Sequence, residues 1–90
     1  MSRLRVLTRD GCGLCEEMIA ELAPWAAARG AAFTLEDVDL DPELRRRYGH
    51  RVPVLLLDDE PIAHGRLGAD AFDSLARAMA RAGGAATRLV

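Results

Sequence analysis

The sequence predicts an α/β domain: a four-stranded mixed sheet flanked by three helices, in the order βαβαββα. Three observations carry that expectation. The chain has 90 residues, the size of one small domain. Short apolar runs of strand length alternate along it with stretches whose apolar residues recur at helical spacing. The last two apolar runs flank Asp58-Asp59-Glu60-Pro61, turn chemistry tight enough to make the strands on either side antiparallel.

Each element has its own local reason. Residues 3–8 are short and apolar enough for a strand, which stops at Asp10-Gly11. From Cys12 the period changes. Cys15, Met18, Ile19, Leu22, Trp25 and Ala26 fall at offsets of 0, 3, 4, 7, 10 and 11, one face of a helix, and Gly30 is the expected stop. Pro24 lacks a backbone donor and crowds the carbonyl of Ala20, so a kink or an early end is expected there. Residues 33–40 read as a second strand of mixed character. Asp41 before Pro42 fits an N-cap with proline at the first helical position, and a short helix through Leu44 and Tyr48 then ends at Gly49. Val54-Leu55-Leu56-Leu57 follows Pro53 as a buried strand. Residues 62–64 suit a short edge strand. Asp70 is expected to cap a last helix whose apolar positions are Phe72, Leu75, Ala76 and Met79, terminated by Gly83-Gly84. A long helix between the first two strands makes them parallel, with a right-handed crossover. The domain is expected to span residues 1–84, with 85–90 a frayed tail.

Composition narrows the function classes. Half the residues are hydrophobic, but 16 of them are alanine and 13 are leucine, which suits one small core. Charged residues of both signs make up 29% and the net charge is −2, so neither disorder nor a basic nucleic-acid surface is expected. No run approaches the ~20 apolar residues of a membrane span, and Arg9 and Asp10 interrupt any secretory apolar stretch. A cytoplasmic monomer is expected, with no nucleic-acid or membrane partner. All 12 basic residues are arginine, which removes lysine Schiff-base and phosphate-loop chemistry.

Chemistry concentrates in Cys12-Gly13-Leu14-Cys15, where the first strand gives way to the first helix. These are the only two cysteines. Without a secretion signal such a pair reads as redox or metal chemistry, and two sulfurs alone do not complete a four-ligand zinc site. A helix N-terminus offers unpaired N–H groups and partial positive charge, which lower a thiol from about 8.5 into the range ~3.5–7.5. Cys12 is nearest those donors and is the expected nucleophile. Cys15, one turn inward on the same face, is the expected resolving thiol. Arg9 favours the thiolate, whereas Asp10, Glu16 and Glu17 oppose it.

Taken together, Thr8-Arg9-Asp10-Gly11-Cys12-Gly13-Leu14-Cys15-Glu16-Glu17 and Tyr48-Gly49-His50-Arg51-Val52-Pro53-Val54 resemble the thioredoxin fold. They are most similar to its glutaredoxin branch, and within it to the small bacterial glutaredoxin-like proteins with a Cys-x-Leu-Cys signature. The resemblance covers residues 3–82. It implies that Pro53 is the family's cis-proline beside the cysteines, although by itself Pro53 reads as a trans proline opening a strand. It also implies that Val52 offers backbone N–H and C=O to a substrate and that Arg9 stands where a lysine pairing with glutathione often lies, while Arg51 is suited to meet a substrate carboxylate bidentately. Gly13 and Leu14 replace the proline and aromatic that glutaredoxins usually carry between the cysteines. Arg51 replaces a common threonine, and Gly65, Gly68 and Asp70 match the family's glycine pair only loosely.

The expected function is thiol–disulfide exchange on a protein or small-thiol disulfide. No bound cofactor is required, and glutathione or a reductase is the electron source. The alternative is a non-catalytic interaction module, or an inter-chain carrier of zinc or an iron–sulfur cluster on the same cysteines. Elsewhere, Arg45-Arg46-Arg47 reads as a solvated face and Trp25 as core. His50 and His64 read as surface residues, and Asp58-Asp59-Glu60 as a turn.

Overall fold

A computed structural model of the protein describes residues 3–87. Its elements run β1 (Leu4–Thr8), α1 (Gly13–Ala28), β2 (Phe33–Asp37), a 3-10 turn (Val38–Leu40), α2 (Pro42–Tyr48), β3 (Val54–Leu57), β4 (Glu60–His64) and α3 (Ala69–Thr87). One mixed sheet of order β2-β1-β3-β4 results. β1 pairs with β2 in parallel and with β3 antiparallel, and β3 pairs antiparallel with β4. The expected α/β architecture is what forms.

Side-chain alternation along the two inner strands builds a core on each face of the sheet. Leu4 and Val6 of β1 join Leu55 and Leu57 of β3 beneath Met18 and Leu22 of α1 and Leu75 and Ala78 of α3. On the opposite face Leu7, Val54 and Leu56 pack with Val38, against Leu44 and Tyr48 of α2. Covering on both faces is why β3 is a continuous apolar run rather than an alternating one. Trp25 closes the rim of the first core, its ring 5.4 Å from that of Phe72, with the Arg29 guanidinium 4.1 Å above it.

Local chemistry explains most of the boundaries. α1 ends as Gly30 adopts φ 65°. The Gly30 N–H then donates to the Ala27 carbonyl and the Ala31 N–H to the Ala26 carbonyl, the double closure that a left-handed glycine permits. The Asp41 carboxylate accepts from the N–H groups of Glu43 and Leu44 at 2.9 and 3.3 Å, capping α2 as the Asp-Pro pair predicts. The hairpin between β3 and β4 turns at Asp58, φ 57°, a conformation aspartate tolerates better than most residues. Its carboxylate accepts from the Arg3 N–H at 2.9 Å.

The structure departs from the sequence reading at five boundaries. β4 begins at Glu60 rather than Ile62, because Glu60 and Pro61 already stand opposite Leu57 and Leu56. An edge strand tolerates the lack of a donor at proline, so the turn is confined to Asp58-Asp59. Pro24 neither ends α1 nor removes its last turn, because Pro24 and Ala20 both face solvent, where water satisfies the carbonyl that proline leaves free. The second strand stops at Asp37 rather than Leu40. The Asp37 side chain accepts from the Asp39 N–H at 2.8 Å, a local bond that competes with the ladder and curls the chain into the 3-10 turn. Asp70 lies inside the first turn of α3 rather than at its cap. The Gly68 carbonyl accepts the Phe72 N–H, and Asp70 instead complements the helix dipole. α3 also continues through Gly83-Gly84 to Thr87. Each glycine costs roughly 1 kcal/mol against alanine, and the alanines around the pair offset that with the best helix propensity available. Of the tail expected to fray, residues 85–87 are therefore helical and 88–90 lie outside the described residues. Among the described residues, no helix is long and apolar enough to cross a membrane.

Leu75 is fully buried between α3 and the sheet, whereas Leu40 is 83% exposed. Leu75→Ala is expected to lower unfolding stability by about 2–5 kcal/mol, and Leu40→Ala to change it by less than about 0.5 kcal/mol. Urea midpoints of the two variants check both. Equal losses would contradict the packing described.

Candidate active site

Strand register brings four loops to one end of the sheet. Leu7 stands opposite Val54, so the chain leaving β1 at Arg9–Cys12 meets the chain entering β3 at Arg51-Val52-Pro53. Thr8 stands opposite Asp37, which adds the 3-10 turn, and Val54 opposite His64, which adds the loop after β4. The Gly65 N–H donates to the Pro53 carbonyl at 2.9 Å and ties that last loop to the proline.

At the centre are the two cysteines, joined in a disulfide with Cα atoms 5.2 Å apart. Cys12 is the N-cap of α1. Its Sγ accepts the backbone N–H of Cys15 at 3.1 Å, and its carbonyl accepts the Glu16 N–H at 3.2 Å. A sulfur thus takes the place usually filled by the oxygen of serine, threonine or aspartate. The two thiols differ in access: Cys12 is half-buried, while Cys15 is 1% exposed. Leu14 between them is 45% exposed. Pro53 is fully buried and follows a cis peptide bond from Val52. Val52 is half-buried and Arg51 exposed.

Arg9 is tied down within the chain. Its Nε donates to Asp39 Oδ2 at 2.9 Å, its Nη2 to Asp39 Oδ1 at 3.0 Å and its Nη1 to the Gly49 carbonyl at 3.1 Å. The bidentate geometry spans the end of β1, the 3-10 turn and the end of α2. It also fixes the segment from which Arg51-Val52-Pro53 departs. Gly49 closes α2, where its N–H donates to the Arg45 carbonyl at 2.9 Å and a Cβ would lie 2.5 Å from that oxygen. The Arg9 hydrogen bonds hold the Asp39 carboxyl below the usual aspartate range, and Asp39 raises the guanidinium in turn. Nothing local in the sequence marks Asp39 as the partner of Arg9. Only the Thr8–Asp37 register, 29 residues apart in the chain, brings them together. On the other flank of the cysteines, Glu17 pairs with Arg66 at 2.7 Å. Among the described residues, no three Cys, His, Asp or Glu side chains gather as a metal site would require.

Residues 3–75 match the model of the glutaredoxin-like domain (DUF836). The chain belongs to this family. Among relatives of the glutaredoxin-like domain, it is 40% identical over 65 residues to the uncharacterized protein Rv0508 of Mycobacterium tuberculosis, covering 64% of this chain and 67% of that one. The solution structure of protein Ne2328 from Nitrosomonas europaea is 34% identical, with TM-score 0.72 over 82% of this chain and 89% of that one. Thioredoxin 1 of Thermosipho africanus, at 15% identity and TM-score 0.60 over 89% of this chain and 97% of that one, shares the fold. This glutaredoxin-like domain is therefore a thioredoxin-fold protein, and its adjacent cysteines support a redox-type role.

The Arg9–Asp39 contact has a pH signature. Because the folded carboxyl titrates below its unfolded value of about 3.9, the stability it contributes is complete above that value and is lost as pH falls through the folded one. Stability of wild type minus Asp39→Asn should therefore be positive at neutral pH and shrink steadily below about pH 4. Chemical denaturation across pH measures this, and a gap that stays constant into acid would contradict the contact.

Proposed function

We propose that the protein is a thiol–disulfide oxidoreductase in which Cys12 is the nucleophile and Cys15 the resolving thiol. The observation that carries this reading is the Cys15 N–H directed at Cys12 Sγ within an asymmetric pair, one cysteine partly exposed and the other buried. Once the disulfide is reduced, the same donor and the helix dipole favour a thiolate at Cys12.

The reaction balances with sulfur chemistry alone. The Cys12 thiolate attacks one sulfur of a substrate disulfide, forming a mixed disulfide and expelling the first substrate thiolate. Cys15, losing its proton to solvent, attacks Cys12 Sγ and releases the second substrate thiolate. Both expelled thiolates take up protons. The substrate is reduced by two electrons and the protein is left with the Cys12–Cys15 disulfide. An external dithiol, or two molecules of a thiol such as glutathione, restores the reduced form. Burial of Cys15 leaves Cys12 Sγ as the sulfur open to the incoming substrate.

Arg51 and Val52 border this reaction from the facing loop. In the proposed complex the Val52 backbone pairs with the substrate chain beside its cysteine, and Pro53 packs against the sulfurs. Arg9 acts one step removed, as a positioning residue that holds the Gly49 end of that loop.

Cys12→Ser is expected to abolish reduction of a model disulfide. Cys15→Ser should instead accumulate a mixed disulfide at Cys12, detected as an adduct by intact-protein mass spectrometry. Turnover surviving in Cys12→Ser, or the adduct forming on Cys15, would overturn the assignment.

A further inference from the structure

A groove of about 560 Å³ is lined by Arg9, Pro42, Arg45, Arg46, Gly49 and His50. It runs from the residue three before Cys12 to the residue three before Pro53, and therefore borders both loops that frame the cysteines. Three of its lining side chains are guanidiniums, and two of these are already matched. Arg9 is held by Asp39, and Arg46, like its neighbour Arg47, by Glu43. Among the described residues, Arg45 enters no ion pair. The groove thus carries a histidine and a cation that enters no ion pair, although Asp39, already held by Arg9, feels its charge. On either side of Cys12 in the chain the sign is opposite: Asp10 and Glu16 are exposed, while Glu17 is paired with Arg66.

Apolar surface accompanies this charge. Leu40, next to Asp39 and two residues from the groove-lining Pro42, is 83% exposed, and Leu14 between the cysteines is 45% exposed. A small inorganic anion would use the guanidinium and leave both leucines in water. A peptide bearing carboxylates and apolar side chains would use both.

We propose that the groove docks an acidic, partly apolar polypeptide segment adjoining the substrate disulfide, with Arg45 as its principal charge contact. The proposal rests on the oxidoreductase reading and specifies its substrate class. Carboxylates reach the groove in two forms, on such a segment or on glutathione, and Arg9 is already engaged with Asp39. The exposed leucines favour the segment.

The test compares four substrates with wild type, Arg45→Gln and Arg45→Glu. They are a peptide disulfide flanked by Glu and Leu, the same peptide with Gln for Glu, glutathione disulfide, and neutral hydroxyethyl disulfide. For the acidic peptide, Arg45→Glu should raise KM about fivefold with kcat unchanged, the scale of one surface ion pair. Arg45→Gln should show a smaller rise, and added salt should shrink the effect. The neutral peptide and hydroxyethyl disulfide should not change. Equal wild-type KM values for the acidic and neutral peptides, or an acidic-peptide KM indifferent to Arg45→Glu, would overturn the proposal. A KM that moves only for glutathione disulfide would overturn it in favour of a small thiol. If hydroxyethyl disulfide and every other substrate go unreduced, it is the oxidoreductase reading that fails, and the substrate proposal with it.

Discussion

β1 is hydrogen-bonded on both edges, to β2 in parallel and to β3 antiparallel, and this double pairing determines where the chemistry sits. A strand clamped on both sides has its end position fixed by two registers at once. A slip of one residue would turn Leu4, Val6 and Leu7 onto the wrong faces. The register that buries those side chains therefore also sets Cys12 facing Arg51-Val52-Pro53, and Arg9 within reach of Asp39 and Gly49. The redox site is a consequence of core packing, assembled where four connections leave the same end of one sheet.

At that end, the helix start treats the two sulfurs differently. Cys12 stands at the cap, where its sulfur meets a backbone donor that has no partner in the helix. Cys15 lies one turn in and is closed off from solvent. Identical side chains thereby acquire different access and different electrostatic surroundings from position alone. The charges around them add direction: carboxylates exposed on the α1 flank, and guanidiniums on the α2 flank that are only partly neutralised.

Much of this was legible in the sequence because its causes are local. Gly30, Asp41-Pro42 and the uninterrupted Val54–Leu57 run each act within a few residues, and each falls where the pattern places it. The cysteine pair was equally legible, since a change of period at Cys12 marks the start of a helix. What escaped depends on distant or competing interactions. Asp39 becomes the partner of Arg9 only through the pairing of β1 with β2. The strand reading ran on past Asp37 because an aspartate side chain bonding to the next turn leaves the apolar pattern unchanged. By propensity, Gly83-Gly84 reads as a stop and Pro24 as a kink or an early end. Alanine-rich flanks offset the first, and solvent exposure of the second satisfies the carbonyl it frees.

In the proposed mechanism, amide groups at the start of α1 hold the Cys12 sulfur as an anion near neutral pH. Titrating the fully reduced protein by thiolate absorbance in the ultraviolet tests it most directly, with Cys12→Ser as the subtraction control. One ionisation is expected, lost in that variant, well below the ~8.5 of a free thiol. A single unresolved titration at or above that value, unchanged when Cys12 is replaced, would contradict it.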